Sequence, residues 1–137
     1  MKNNRSMKNC SDFTIPKQSS FLDQMPYSEA CDKLRKLIKS RKDISAIVKL
    51  NLRGGDSFRF EVFSISNRII QNGQDILIPE DGRLQLTPTK GVTIAFLRAF
   101  AFIPVTDPMY VKNLNVYHKD GNKGNISLDN LSWSIYN

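Results

Sequence analysis

One imidazole marks where this chain could do acid–base chemistry. His118 is the only histidine in 137 residues. It lies in the stretch Asn115-Val116-Tyr117-His118-Lys119-Asp120-Gly121-Asn122-Lys123-Gly124-Asn125-Ile126-Ser127-Leu128-Asp129-Asn130-Leu131-Ser132-Trp133. An imidazole can take up and return a proton, and two amide side chains, Asn125 and Asn130, follow it within thirteen positions. One histidine and two widely separated cysteines, Cys10 and Cys31, do not assemble a Cys/His zinc site at the usual spacing. Plain structural roles stand beside the chemical ones. His118 can be a half-buried polar residue satisfied by backbone, and Asn125 and Asn130 suit turns and helix ends.

The elements that must position these residues are short. Leu114 and Val116 form an apolar strand leading into His118. Asp120-Gly121 marks a tight turn, because glycine tolerates the positive φ such turns need. Ser127 is placed to cap a short helix with Leu128 and Leu131 on one face. Strand, turn-rich loop and short helix thus bring the imidazole and the amides together.

The rest of the chain is basic and mostly β-patterned. It carries 20 Lys+Arg against 13 Asp+Glu, a net charge of +7. Residues 1–43 hold 10 of the cations and 5 of the anions, so the front third contributes +5. Such a segment attracts a polyanion through counterion release, or is simply a solvated surface. Residues 1–27 are polar with scattered Phe13, Ile15, Phe21, Leu22 and Met25, interrupted by Pro16 and Pro26. They read as an extended arm that docks on a partner or on the body. A helix is expected over 28–42, with Ser28 as cap, Ala30, Leu34, Leu37 and Ile38 on one face, and Lys33, Arg35, Lys36, Lys39, Arg41 and Lys42 covering the rest. Alternation of Ile44, Ala46, Val48, Leu50 and Leu52 gives a half-buried strand. Gly54-Gly55 turns it back into Phe58, Phe60 and Val62. Short strands near Ile76–Ile78 and Arg83–Leu86, with turns at Asn72-Gly73 and Asp81-Gly82, complete a small antiparallel sheet. No signal-peptide pattern and no membrane-length apolar run is present, so an intracellular, reducing setting is expected.

The stretch around His118 resembles the HNH endonucleases of phages and mobile introns, the homing endonucleases among them. Val116, His118, Asp120, Gly121, Asn122, Asn125, Asn130, Leu131 and Trp133 fall on that pattern, nine positions in eighteen residues. Upstream, Ser64, Arg68 and Ile69 are similar to the modular segment that often precedes HNH motifs. Leu97, Ala99, Ala101, Phe102, Ile103 and Pro104 are similar to the family helix ending in A-F-I-P. The resemblance covers residues 58–136. It implies a small antiparallel sheet followed by a ββα-type HNH unit; with the N-terminal arm and basic helix read from the residues, the whole is an α+β fold. The chain would divide into arm (1–27), basic helix and first hairpin strand (28–57), modular segment (58–104) and HNH-like unit (105–137).

The resemblance also implies metal-dependent hydrolysis of DNA with one divalent cation, Mg²⁺ or a similar ion. His118 would be the general base, Asn125 would brace the loop and orient it, and Asn130 would offer its amide oxygen to the metal. Lys33, Lys36, Lys39, Arg41, Lys42, Arg68, Lys119 and Lys123 would contact nucleic acid, and the arm would serve a protein partner. This chain departs from the family at two places. Tyr117 stands where Asp or Asn often supplies a metal oxygen, and a phenol is a poor ligand for Mg²⁺ at neutral pH. The His-Arg pair that usually opens the A-F-I-P helix is replaced by Ala95-Phe96. Four residues follow Trp133, and no C-terminal reader domain is expected. Two functions follow: an active nicking or cleaving endonuclease in a host cytoplasm, or an HNH-like protein without cleavage that binds nucleic acid or builds a larger assembly such as a phage particle.

Overall fold

The structure is a computed structural model, and it describes residues 18–51, 57–88, 90–105 and 114–135. Its elements run α1 (Tyr27–Ser40), β1 (Ser45–Asn51), β2 (Ser57–Phe63), β3 (Ile69–Gln71), β4 (Gln74–Ile76), β5 (Arg83–Thr87), β6 (Lys90–Thr93), α2 (Ile94–Phe102), β7 (Leu114–His118), a 3₁₀ turn (Leu128–Asn130) and β8 (Leu131–Ile135). The chain is therefore mixed α+β, with two helices and a four-stranded antiparallel sheet in the order β1-β2-β3-β4. β5 and β6 form a separate two-stranded ladder, as do β7 and β8. Among the described residues no helix is long and apolar enough to cross a membrane.

The β1–β2 register sets Ala46 opposite Val62 and Val48 opposite Phe60, and all four are buried. The alternation read from the sequence is thus the inward face of the sheet. The β3–β4 hairpin turns at Asn72 (φ 53°) and Gly73 (φ 80°), the two positive φ values of a type I′ turn. The Gly54-Gly55 turn, Leu52, Phe13, Ile15 and Pro16 lie outside the described residues.

α2 is the centre of the packing. It lies against β1, β2, β6, β7 and β8, and Ile94, Ala95, Leu97, Arg98, Ala99, Ala101 and Phe102 are buried. A helix apolar around most of its circumference must be enclosed, and its alanines let neighbours approach closely. The helix that leads into A-F-I-P begins at Ile94. Lys90–Thr93 is strand β6, paired with β5. Thr93 then caps the helix by accepting from the N–H of Phe96 at 3.0 Å.

Residues 18–26 are part of the body rather than a free arm. Phe21 and Leu22 are buried in the core. Gln18 and Ser19 satisfy the carbonyls left over at the end of α2. Gln18 Nε2 donates to Phe100 O and Ile103 O, each at 3.0 Å, and Ser19 Oγ donates to Ala101 O at 2.5 Å. Ser20 N donates to Ile47 O at 3.0 Å, and Ser20 Oγ accepts from Ile47 N at 2.8 Å, covering the outer edge of β1. α1 starts one residue earlier than expected. Pro26, with φ −59°, occupies the cap position, so Ser28 falls inside the first turn.

The segment after His118 differs most from expectation. Among the described residues, the short helix with Ser127 as cap is a single 3₁₀ turn, and Leu131 already belongs to β8. Leu128 and Leu131 have helical spacing, but Leu131 and Trp133 also alternate at strand period. Tertiary contacts decide for the strand. Val116 pairs with Trp133 and His118 with Leu131. Trp133 Nε1 donates to Ile103 O at 2.9 Å, and its ring meets Phe96 and Phe100 edge-on.

The candidate active-site cleft around His118

β7 delivers His118 at its last position, and the loop behind it is closed by its own side chains. Gly121 turns the chain with φ 77°, and its N–H donates to His118 O at 2.9 Å. The Asp120 carboxylate is the hub. Oδ1 accepts from Asn122 N at 2.8 Å and from Asn130 Nδ2 at 3.0 Å, and Oδ2 accepts from Asn125 Nδ2 at 2.9 Å. These bonds, that from Asn125 first, hold its carboxyl below the ordinary value of 3.8. Asn130 Nδ2 also donates to Asn125 O at 2.8 Å. That same oxygen stands 3.3 Å from His118 Nδ1. A carbonyl can only accept, so the contact calls for a hydrogen on Nδ1 and leaves Nε2 as the basic nitrogen.

His118 lines a cleft of about 500 Å³. Its walls are the connection from β4 to β5, the start of α2, Asn67 and the loop from Lys123 to Ile126. Two acidic residues in this wall, Glu80 and Asp81, escaped the sequence reading. The Asp81-Gly82 turn was visible, but that it faces the histidine depends on tertiary structure. Asp81 Oδ1 accepts from Arg83 N at 3.0 Å. Ala95 lines the cleft, while Phe96 stacks on Phe100 and meets Trp133. Tyr117 is 54% exposed and is not among the residues lining the cleft.

The residues expected near the site separate into several groups. Asn125 braces the loop and reaches His118 through its main-chain oxygen, while its side-chain oxygen accepts from Ser127 Oγ at 2.7 Å. Asn130 is 8% exposed, and its Oδ1 already accepts from Asp120 N at 3.1 Å. As folded, both amide hydrogens and one lone pair of Oδ1 serve the loop, which leaves a single lone pair for any metal. Among the described residues no group of three His, Cys, Asp or Glu side chains is gathered to hold a metal ion. Lys123 lines the cleft, and Lys119 is exposed beside it. Arg68 is engaged elsewhere, in a two-pronged pair with Asp75 at 3.2 and 2.9 Å and over the Phe63 ring. Lys33 donates to Phe21 O at 2.9 Å and covers the Phe21 ring. Lys36 and Lys39 line a shallow hollow on α1. Arg41 and Lys42 line a groove against Ser127, Leu128 and Asp129, the continuation of the histidine loop.

Arg98 was also missed, because an arginine inside an apolar helix pattern reads as a solvated position. It is 2% exposed. Its guanidinium donates to Phe63 O, Ile65 O, Ser66 O and Asn67 Oδ1 on one side and to Ile126 O on the other. It therefore ties the end of β2 to the loop that carries the Asn125 carbonyl. Burial brings it down to about 10 against the pull of Asp43, so it stays charged at neutral pH.

No family model, no curated protein and no solved structure matches this chain.

Proposed function

We propose that this chain is an HNH-type DNA endonuclease of phage or mobile-element kind, hydrolysing or nicking a phosphodiester with His118 as general base. One observation carries the reading: His118 is backed at Nδ1 by the Asn125 carbonyl and lines an open cleft together with Lys123. In that arrangement Nε2 takes the proton from an attacking water, and the imidazolium that forms keeps its Nδ1–H on the carbonyl. The Lys123 ammonium offers a positive charge to a phosphate entering the cleft. The basic end of α1 flanks the other side of the same loop, which suits a DNA backbone running from one to the other. This activity places the protein inside a host cell.

HNH enzymes employ one divalent cation, which supplies charge to the scissile phosphate and its leaving oxygen. Asn130 is 8% exposed and holds Asp120 with both ends of its amide, so only the second lone pair of Oδ1 is left for a cation. That observation favours a second reading, in which cleavage has been lost and the fold binds nucleic acid or serves a larger assembly such as a virion.

A supercoiled-plasmid assay with Mg²⁺ or Mn²⁺, an EDTA control and His118→Ala beside the parent separates the two. Metal-dependent nicking that disappears in the variant, with DNA binding retained, supports the endonuclease. Nicking that persists in His118→Ala removes His118 as the base. A folded parent that cuts with neither metal sinks the endonuclease reading.

A further inference from the structure

The groove between the end of α1 and the loop after Ile126 holds an unbalanced charge. Every hydrogen-bond acceptor of Arg98 is a carbonyl or amide oxygen; none is a carboxylate. Among the described residues the one carboxylate that attracts it, Asp43, acts through space. Buried charges are ordinarily paired, since desolvation penalises the lone ion. The guanidinium has five hydrogens. Nε spends one, Nη2 both of its own, and Nη1 one on Ile126 O at 2.8 Å. The second Nη1 hydrogen has no acceptor among the described residues.

Arg98 lines a groove of about 350 Å³ together with Arg41, Lys42 and Asp129. The lining residues thus carry three cations and one carboxylate, and even with Asp43 behind Arg98 the cations are in excess, around a space large enough for a tetrahedral anion. Two of the carbonyls in the last turn of α1, which would otherwise repel an anion, are occupied. Leu37 O accepts from Ser40 Oγ at 2.7 Å, and Ile38 O accepts from Arg41 N at 3.3 Å.

We propose that this groove is a phosphate-binding site, in which Arg98, Arg41 and Lys42 hold the anion and Asp129 limits its affinity. A fixed guanidinium suits phosphate oxygens better than a mobile ammonium does. The site does not depend on cleavage at His118. The same chemistry serves a free phosphate or a phosphodiester of nucleic acid.

The test follows the Arg98 Nε–H signal by NMR in the full ¹⁵N-labelled chain at low ionic strength. One arm adds inorganic phosphate, a second adds a short DNA duplex, and chloride at matched ionic strength is the control. Arg98 stays in place, because its removal would strip several buried carbonyls of their donor. The expected result is a saturable shift that chloride does not reproduce. Asp129→Asn should tighten binding by about fivefold, the effect of one unit charge a few ångströms away in high dielectric. Arg41→Gln with Lys42→Gln should weaken it. A shift with phosphate alone identifies a free-anion site, and a shift with the duplex identifies a backbone subsite. A signal moved by neither ligand, or affinities equal to the parent in both variants, overturns the proposal.

Discussion

The main-chain oxygen of Asn125 stands 3.3 Å from Nδ1 of His118. The neutral imidazole is therefore expected as the Nδ1–H tautomer, with Nε2 free to accept a proton. Because His118 is the only histidine, long-range ¹H–¹⁵N correlation reports a single ring without assignment work. A neutral ring protonated at Nε2 would mean that the carbonyl does not hold it and that the proton acceptor is the wrong nitrogen.

Asn130 fills its place with all three of its polar contacts, two donated by Nδ2 and one accepted by Oδ1. Asn130→Asp removes both donors and sets a second carboxylate against Asp120. The Asn125 carbonyl, half-buried and left without this donor, costs about 1–3 kcal/mol. The deficit should be largest at pH 7 and smaller near pH 4, where the two carboxyls can share a proton. Urea unfolding of parent and variant at the two pH values checks this. A deficit independent of pH would place the two carboxylates farther apart than the Asn130–Asp120 contacts require.

The strands were legible wherever one face is buried and the other wet. Ala46, Val48, Phe60 and Val62 alternate in the sequence and pair across β1 and β2. Asn72-Gly73 and Gly121 were legible because their turns need positive φ. What escaped depends on contacts distant in the chain. Leu131 suits helix and strand equally until Trp133 has Ile103 O to reach. β6 escaped because what makes it a strand is its partner β5. Arg98 gave no signal, since its acceptors are the carbonyls of Phe63, Ile65, Ser66 and Ile126 and the Asn67 amide. Glu80 and Asp81 reach the histidine cleft only through the way β5 and α2 pack. Of the site itself, the sequence pattern marked His118 and its two asparagines, but not that Asn130 spends its amide on the loop.

Acid should loosen the two loops at the Arg98 junction together. Burial pushes the Asp43 carboxyl up, but hydrogen bonds from Ser66 Oγ, Ser66 N and Ile65 N outweigh it and hold it below 3.8. Asp120 is lowered as well, by the bonds from Asn125 and Asn122 before all others. A carboxyl lower in the folded than in the unfolded chain contributes stability that is complete above the unfolded value. That contribution is lost as pH falls through the folded value. Tm should therefore be flat with respect to these groups from about pH 5 upward and fall below about pH 4. Asp43→Asn should lower Tm at pH 7 and make the acid fall shallower. A Tm that holds to pH 2 would show that neither carboxylate carries its loop.

The cations expected on nucleic acid should divide by what they already hold. Lys36, Lys39, Arg41 and Lys42 lie along the exposed side and end of α1. Arg68 is paired with Asp75, and Lys33 is bound to Phe21 O. Each phosphate contact contributes about 0.9 to the slope of log K against log salt for duplex DNA. Replacing Lys36, Lys39, Arg41 and Lys42 together by Gln should lower that slope by about 2–4, according to how many touch phosphate at once. Arg68→Gln should leave it nearly unchanged, because freeing Asp75 cancels a charge that was never offered to DNA. Fluorescence anisotropy on a random duplex across a salt series measures both. A slope that responds to Arg68 and not to the α1 cations would move the DNA path to the β3–β4 hairpin. No binding at low salt would leave a protein partner as the occupant of the basic face.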